Sequence, residues 1–368
     1  MLGVLLAGAL LGLLPPVCDA ESAVGLDFMN VQPGGPPGGV QPGPVGGDLL
    51  ALARIDLQTG NVTRARPFFI NDTANGYSCI QAFRPSPPTY YIISSFEPVR
   101  LVAVDATTGV ATAVDLSEQL VVFDISWSGA VGGGRIYAYA AAPPYQAEDA
   151  GIFAIDPTTG AVGKNLGGLD ISGYAEPRPC ESGLTASSAD PRFYFTVATN
   201  KRDPDDGDQA LLTYDLTQQK VVAQVPWAAK ANGSLNAMLS MTLPGAAAES
   251  VLAIATDPEP REHGGRPLEL LSIDPQTGRH SVLAGVPVKE GPLIPSLGSL
   301  AVNQAGSSLI TVVMDDATVA FSSITFDLAG YAATGKAAAL RRPLTQRSNL
   351  WNLQYVGGGD GKGVETGE

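Results

Sequence analysis

The sequence predicts an all-β chain folded as a six-bladed β-propeller, six blades rather than seven, with the ring closed by N- and C-terminal strands in one shared blade. Three observations carry this. One short phrase recurs six times: a strand ending in Asp, a Thr/Gly turn, then another strand. Its aspartates, Asp56, Asp105, Asp156, Asp215, Asp274 and Asp327, lie 49, 51, 59, 59 and 53 residues apart, the length of one four-stranded blade. No stretch keeps a helical apolar period over a useful length. The composition agrees, since 43 Gly and 29 Pro with 45% apolar residues suit many short strands and tight turns.

Four copies of the phrase are complete: Ile55-Asp56-Leu57-Gln58-Thr59-Gly60, Val104-Asp105-Ala106-Thr107-Thr108-Gly109, Ile155-Asp156-Pro157-Thr158-Thr159-Gly160 and Ile273-Asp274-Pro275-Gln276-Thr277-Gly278. Those at Asp215 and Asp327 are degenerate. An Asp closing a strand can accept N–H bonds from residues two and three further on, and Gly supplies the positive φ that reverses the chain. The aspartates are therefore expected to be structural; cation ligation would need turns that converge, which turns spread around a rim do not.

Each Asp ends an apolar strand, the third (C) of its blade: Leu49–Ile55, Arg100–Val104, Gly151–Ile155, Leu211–Tyr214, Glu269–Ile273 and Ser322–Phe326. Upstream, β-branched and aromatic runs at Tyr90–Phe96, Arg135–Ala141, Arg192–Thr199, Ser250–Thr256 and Ser308–Met314 supply the second strand (B). Further upstream, Tyr77–Phe83, Val121–Trp127, Ser182–Ser187, Asn236–Thr242, Ser296–Val302 and Asn349–Tyr355 are the expected inner strands (A), polar enough to line a channel. Strand D follows each turn. One A strand stands alone at the C-terminus, and the first C strand has none before it. Because an open edge is a liability, Asn349–Tyr355 is expected to complete the blade of Asp56, with Val24–Val31 as its B strand.

The domain boundaries follow. Residues 1–20 read as a secretory signal peptide: Leu2 to Leu14 is an apolar and glycine run too short to span a bilayer comfortably, and Cys18-Asp19-Ala20 places small residues before a cut. Its first residues lack Lys and Arg, and a buried N-terminal strand or helix is the alternative. Residues 21–48 hold the N-terminal strand and a loop in which 12 of the 15 residues 33–47 are Gly or Pro. The propeller occupies 49–356, and 357–368 is a polar, disordered tail. Secretion makes Cys79 and Cys180 a candidate disulfide, two free thiols being the alternative. Asn61, Asn71 and Asn232 head Asn-x-Ser/Thr glycosylation triplets.

With a formal net charge of −14, the surface is expected to repel nucleic acid and anionic lipid and to favour cations or basic partners. No segment after the leader is apolar enough for a membrane span, and a monomer is expected. D–A and B–C connections share one face, where propellers tend to bind ligands by fold analogy. The B–C connections are acidic, with Glu148, Asp149, Asp203, Asp205, Asp206, Asp208, Asp257, Glu259, Glu262, Asp315 and Asp316. This rim is expected to bind a protein or small-molecule ligand of basic character, solvation of exposed loops being the alternative. Asp203, Asp205, Asp206 and Asp208 crowd oxygens around Gly207 as a calcium loop does, without the distal Glu or flanking helices of an EF-hand, so calcium is the cofactor to test. The starts of the A strands place Ser78, Asp124, Asn236 and Asn349 near the axis, with Glu181 and Arg347 beside them, as channel-mouth candidates.

Enzyme templates mostly fail. His263 and His280 have no metal-ligand spacing to a second His or Cys, and Gly-x-Ser-x-Gly is absent. The Ala154-Ile155-Asp156-Pro157-Thr158-Thr159-Gly160 and Ser272-Ile273-Asp274-Pro275-Gln276-Thr277-Gly278 phrases resemble the blade turns of YVTN-type and quinoprotein-like propellers. That resemblance implies the fold and little of function. The docking Trp of quinoprotein blades is missing after the turns, since the three tryptophans are Trp127, Trp227 and Trp351. Calcium-dependent lactonase-like propellers set Glu, Asn and Asp around the channel, a pattern that Glu181, Asn236, Asp124 and Asn349 would imitate. The sequence thus favours a secreted binding module, with a metal-dependent hydrolase of lactonase type, acting in the channel, as the alternative.

Overall fold

The computed structural model describes residues 22–28, 48–64, 68–70, 80–94, 99–129, 134–143, 150–167, 169, 173–175, 183–199, 208–256, 267–288, 293–295, 300–303, 305–315, 318, 320–345 and 350–356. They form six antiparallel sheets. The first holds β1 (Ser22–Phe28), β2 (Asp48–Asp56), β3 (Val62–Arg64) and β4 (Phe68–Ile70). The second is β5 (Gln81–Pro85), β6 (Pro88–Ser94), β7 (Arg100–Asp105) and β8 (Ala111–Asp115), and the third β9 (Val121–Ser128), β10 (Arg135–Ala141), β11 (Ala150–Ile155) and β12 (Val162–Asn165). The fourth comprises β13 (Thr185–Ala186), β14 (Arg192–Ala198), β15 (Gln209–Asp215) and β16 (Lys220–Trp227). After the short helix α1 (Ala229–Asn232) come β17 (Ser234–Thr242), β18 (Glu249–Thr256), β19 (Leu268–Ile273) and β20 (His280–Val286). The sixth has a split inner strand, β21 (Leu293–Pro295) and β22 (Ala301–Val302), then β23 (Ser308–Asp315), β24 (Ala320–Asp327), helix α2 (Leu328–Thr334) and β25 (Ala338–Pro343).

The last strand, β26 (Leu350–Val356), returns to the first sheet, whose order is β26-β1-β2-β3. Ser22 pairs with Val356 on one side and Asp56 on the other. The N-terminal strand is therefore the second strand of the closing blade, and the C-terminal strand is its inner one, as the strand inventory requires.

Six apolar clusters prove the ring, because each lies between two successive blades. Val24 and Leu26 pack with Tyr90 and Ile92 of the second blade, while their neighbours Ala23, Ala53 and Ile55 pack with Ile310 and Val312 of the sixth. Phe193 and Phe195 meet Tyr137 and Tyr139 of the third blade, whereas Tyr194 faces Leu235 and Val251 of the fifth. Successive residues of a strand point to opposite faces, and here both faces are buried. That is why the B and C strands read as nearly continuous apolar runs.

The repeated turns have the expected geometry. Asp56 Oδ1 accepts from the N–H groups of Gln58 (2.8 Å) and Thr59 (3.1 Å), and Asp105, Asp156, Asp215 and Asp274 repeat the pattern. Gly60, Gly109, Gly160 and Gly278 take φ of 73°, 71°, 70° and 69°. Three of the turns also do something the repeat alone does not disclose. A Cβ on Gly60 would overlap the carbonyl oxygen of Pro343, one on Gly160 that of Asp115, and one on Gly278 the Val225 side chain. All three neighbours lie in the last residues of the preceding blade's outer strand. Beyond them, the N–H of Thr345 donates to Gly60 O (3.1 Å) and that of Ser117 to Gly160 O (3.0 Å). At these three joints the turn of one blade is seated on the outer strand of the blade before it.

Two differences from expectation have local causes. At the sixth copy the chain continues into α2, because Gly330 comes one residue too early to reverse it; Asp327 instead caps the helix, accepting from Gly330 N–H (3.0 Å), and Gly335 at φ 71° ends it. The inner strands β13 and β22 are shorter than the sequence suggests, since 183–184, 187 and 300 lie outside strands; β5 runs on to Pro85, and the stretches 77–79, 182 and 296–299 lie outside the described residues.

Gly160→Ala is expected to lower stability by roughly 2–4 kcal/mol, from left-handed backbone plus overlap with the neighbouring blade. Gly129→Ala, which meets open space, should change it by less than about 0.5 kcal/mol. Urea midpoints compare the two; equal midpoints would refute the joint. At the degenerate fourth copy Gln219 holds φ 51° without a glycine. Gln219→Gly is accordingly expected to raise the midpoint, by up to about 1 kcal/mol.

Candidate functional site

The first strands of the blades line the axis, with β9 packed beside β5 and β13, β13 beside β17, and β26 beside β22 and β5. At the D–A end of this ring the backbone is irregular. A bulge places Phe123 as an extra residue beside Asp124 in β9, another leaves Asn236 and Ala237 opposite Ile254 in β17, and a third sets Asn352 and Leu353 opposite Gly25 in β26. Bulges re-aim side chains and concentrate near functional sites.

Among the expected channel-mouth residues, Asp124 is the described one with the strongest electrostatic signature. Its Oδ2 accepts from Leu184 N–H (2.6 Å) at the start of the next blade's inner strand, and its Oδ1 accepts from Ile125 N–H (2.8 Å). Two residues on, Ser126 Oγ accepts from Ala186 N–H (3.1 Å). Together they tie β9 to β13, which is only two residues long and needs outside support. The residue as a whole is half-buried, but the chain encloses its carboxyl, and that enclosure governs the charge. Burial pushes the carboxyl up to about 7, with the N–H bonds from Leu184 and Ile125 opposing.

Asn236 lies across the same short stretch. Its Nδ2 donates to Thr256 Oγ1 (2.7 Å) and Ser234 O (3.1 Å), and its backbone oxygen approaches Gly183. Asp124, the segment 183–184 and Asn236 therefore follow one another across three blades. Ser78, Glu181, Arg347 and Asn349 lie outside the described residues, as do Cys79, Cys180, Asn71, Asp203, Asp205 and Asp206. Asp208 is described, and its Oδ1 accepts from Ala229 N–H (3.1 Å) at the start of α1. Asp315 pairs with Arg341 at 3.4 Å and accepts from Thr318 N–H. These two acids of the B–C connections serve the fold. Among the described residues no three His, Cys, Asp or Glu side chains converge as a metal centre built from those ligands needs, and each Asp124 oxygen accepts one N–H bond.

One polar centre escapes the sequence. Glu249 at the start of β18 accepts from Ser187 Oγ, Ser188 N–H and Ser188 Oγ, each at 2.7 Å, and from Tyr194 O–H (2.9 Å). Burial opposes its charge, but the nearby Ser240 hydroxyl and the hydrogen bonds from Ser187, Ser188 and Tyr194 outweigh it and hold the carboxyl below its usual range. Every acceptor is satisfied, which marks a clamp between the fourth and fifth blades. The Ser-Ser pair is the visible signal, but its partner lies a blade away.

The turn aspartates titrate in the opposite sense to Asp124. The N–H of the residue three further on is the leading cause at Asp56, Asp105, Asp156 and Asp215, and the Thr277 hydroxyl at Asp274; all five carboxyls are lowered. Their stabilisation is present at neutral pH and lost as pH falls below about 4. Asp124 is raised, so its contribution is full below the unfolded value near 3.8 and is lost as pH rises through about 7. The wild-type protein is expected to be more stable at pH 5 than at pH 8, by roughly 1–3 kcal/mol from this group. Asp124→Asn should remove that difference in urea midpoints, and an unchanged difference would count against the assignment.

No known protein family matches the chain, and no curated protein matches it in sequence. Solved structures that it resembles include hydrazine synthase of Kuenenia stuttgartiensis, at 12% identity over 82% of each chain with a TM-score of 0.47. The periplasmic gluconolactonase of Pseudomonas aeruginosa is similar at 12% identity, over 91% of this chain and 99% of that one, also with a TM-score of 0.47. At such identities and scores the propeller architecture rests on this chain's own six sheets, and the likeness carries nothing about activity.

Proposed function

We propose that the protein is a secreted binding propeller that takes a basic ligand on the face where the D–A and B–C connections emerge. The observation that carries this is topological. The six B–C connections leave from the same ends of their blades, and their sequences gather Glu148, Asp149, Asp203, Asp205, Asp206, Asp257, Glu259, Glu262 and Asp316, against Lys201, Arg202, Arg261 and Arg266. Carboxylates of one sign at one mouth focus the field and favour cationic partners. The bulged inner strands at the same end supply a shaped floor. Secretion is supported by the apolar run from Leu2 to Leu14 and the small residues Cys18 and Ala20 after it.

A channel hydrolase is the second reading, favoured by Asp124: a carboxyl that titrates near neutrality in a channel wall is suited to proton transfer. Calcium and residues 78, 181 and 349 belong to that reading as proposals. Elemental analysis of purified protein separates the two, because stoichiometric calcium with lactone hydrolysis would displace the binding module.

Calorimetric titration with polylysine and, separately, with calcium tests the main reading. Polylysine is expected to bind with an affinity that falls as salt rises, and Asp203→Asn with Asp205→Asn and Asp206→Asn should weaken it several-fold. Two flat isotherms would end the proposal.

A further inference from the structure

We infer that Asn61 is a glycan acceptor and that its sugar stands on the outer circumference of the ring, at the joint between the sixth and first blades. The inference rests on the secretory part of the proposed function. Asn61-Val62-Thr63 joins the first repeated turn to β3: Asn61 and Thr63 are exposed, while Val62 between them is buried against the sixth blade. A bulky modification at Asn61 therefore projects to solvent while the residue beside it anchors the segment.

The folded ring also accommodates a sugar on the side-chain amide. Asn61 Oδ1 accepts from the Thr345 hydroxyl (3.1 Å), and among the hydrogen bonds of the described residues its Nδ2 donates none. In the transfer, Nδ2 attacks the anomeric carbon of a lipid-pyrophosphate-linked oligosaccharide. The carbon–oxygen bond to the pyrophosphate breaks, an N-glycosidic bond forms, the amide gives up one proton, and lipid pyrophosphate leaves with the electron pair. The product keeps its carbonyl oxygen and one N–H, so the bond from Thr345 survives and the inter-blade joint is undisturbed.

Asn232 offers a poorer setting. It is the half-buried last residue of α1, directly before the inner strand β17. Its successor Gly233 is buried, accepts from Trp227 Nε1–H (2.7 Å) and lies against Thr256. Sugar there would crowd the head of an inner strand, on the side of the proposed ligand face. Sugar at Asn61 leaves that face clear.

The test expresses the full chain in glycosylating eukaryotic cells, once with its own first twenty residues and once with an unrelated cleavable leader in their place. Secreted protein is deglycosylated by an amidase in heavy-oxygen water and digested with trypsin, and the peptide Ile55–Arg64, whose only asparagine is Asn61, is weighed. An isotopically heavy aspartate at that position is expected, together with loss of one glycan's mass from the intact Asn61→Gln variant at unchanged melting temperature. An unmodified Asn61 in protein secreted by the unrelated leader overturns the inference, as does sugar confined to Asn232. Retention in the cell with the native leader alone counts against the secretory reading, while the other arm still decides Asn61.

Discussion

Every blade of this protein is apolar on both faces, and that constraint dictates the ring. A sheet buried on one side can end a stack, but one that carries Ala23 and Ile55 on one face and Val24 and Leu26 on the other needs a neighbour on each. An open row of six would expose two such faces at its ends. Closure removes both, and backbone pairing of β1 with β2 and β26 makes it, joining strands from opposite ends of the chain within one blade. Tyr90 of the second blade adds a hydrogen bond to Val24 O (2.6 Å) in the closing strand, and the buried Asp27 pairs with Arg64 across the same sheet.

The repeated phrase is best understood as the outer counterpart of that closure. Its Asp organises the turn and its Gly serves two ends at once, adopting a positive φ and leaving room for the preceding blade. A glycine required by φ alone could be replaced at moderate cost, as Gln219 demonstrates in the fourth blade. One that also abuts a neighbour's backbone cannot be filled without moving a blade. Where the sixth copy loses the turn, α2 takes its place, and Ala337 N–H reaches Leu283 O (2.8 Å) of the fifth blade to restore the connection.

What the sequence discloses and what it conceals divide along range. Strand identities, blade spacing and the Asx turns depend on residues within a few positions of one another, so Arg135–Ala141 coincides with β10 and the turn bonds of Asp56 fall on the expected N–H groups. Closure was legible for a different reason, since an unpaired strand at each end leaves a deficit that only pairing them cures. The Glu249 clamp and the Asp124–Leu184 bond span 55 to 62 positions, and no local pattern announces such partners. The place of Asp124 in an inner strand was legible; its link to the next blade was not, because that depends on how short β13 is.

The carboxylates consequently fall into groups distinguished by what surrounds them. At the turns, N–H donors dominate and burial is slight, so the charge is welcome and the residue has no chemistry left to offer. At Glu249, donors overcome burial and the group is again committed to the fold. At Asp124, burial wins over two donors, and the charge is held at a disadvantage near neutral pH. A group in that condition gains from any event that restores solvation or supplies positive charge, whereas a turn aspartate gains from neither. Asp124 is thus a group of the described ring whose charge solvation or a nearby positive group would relieve.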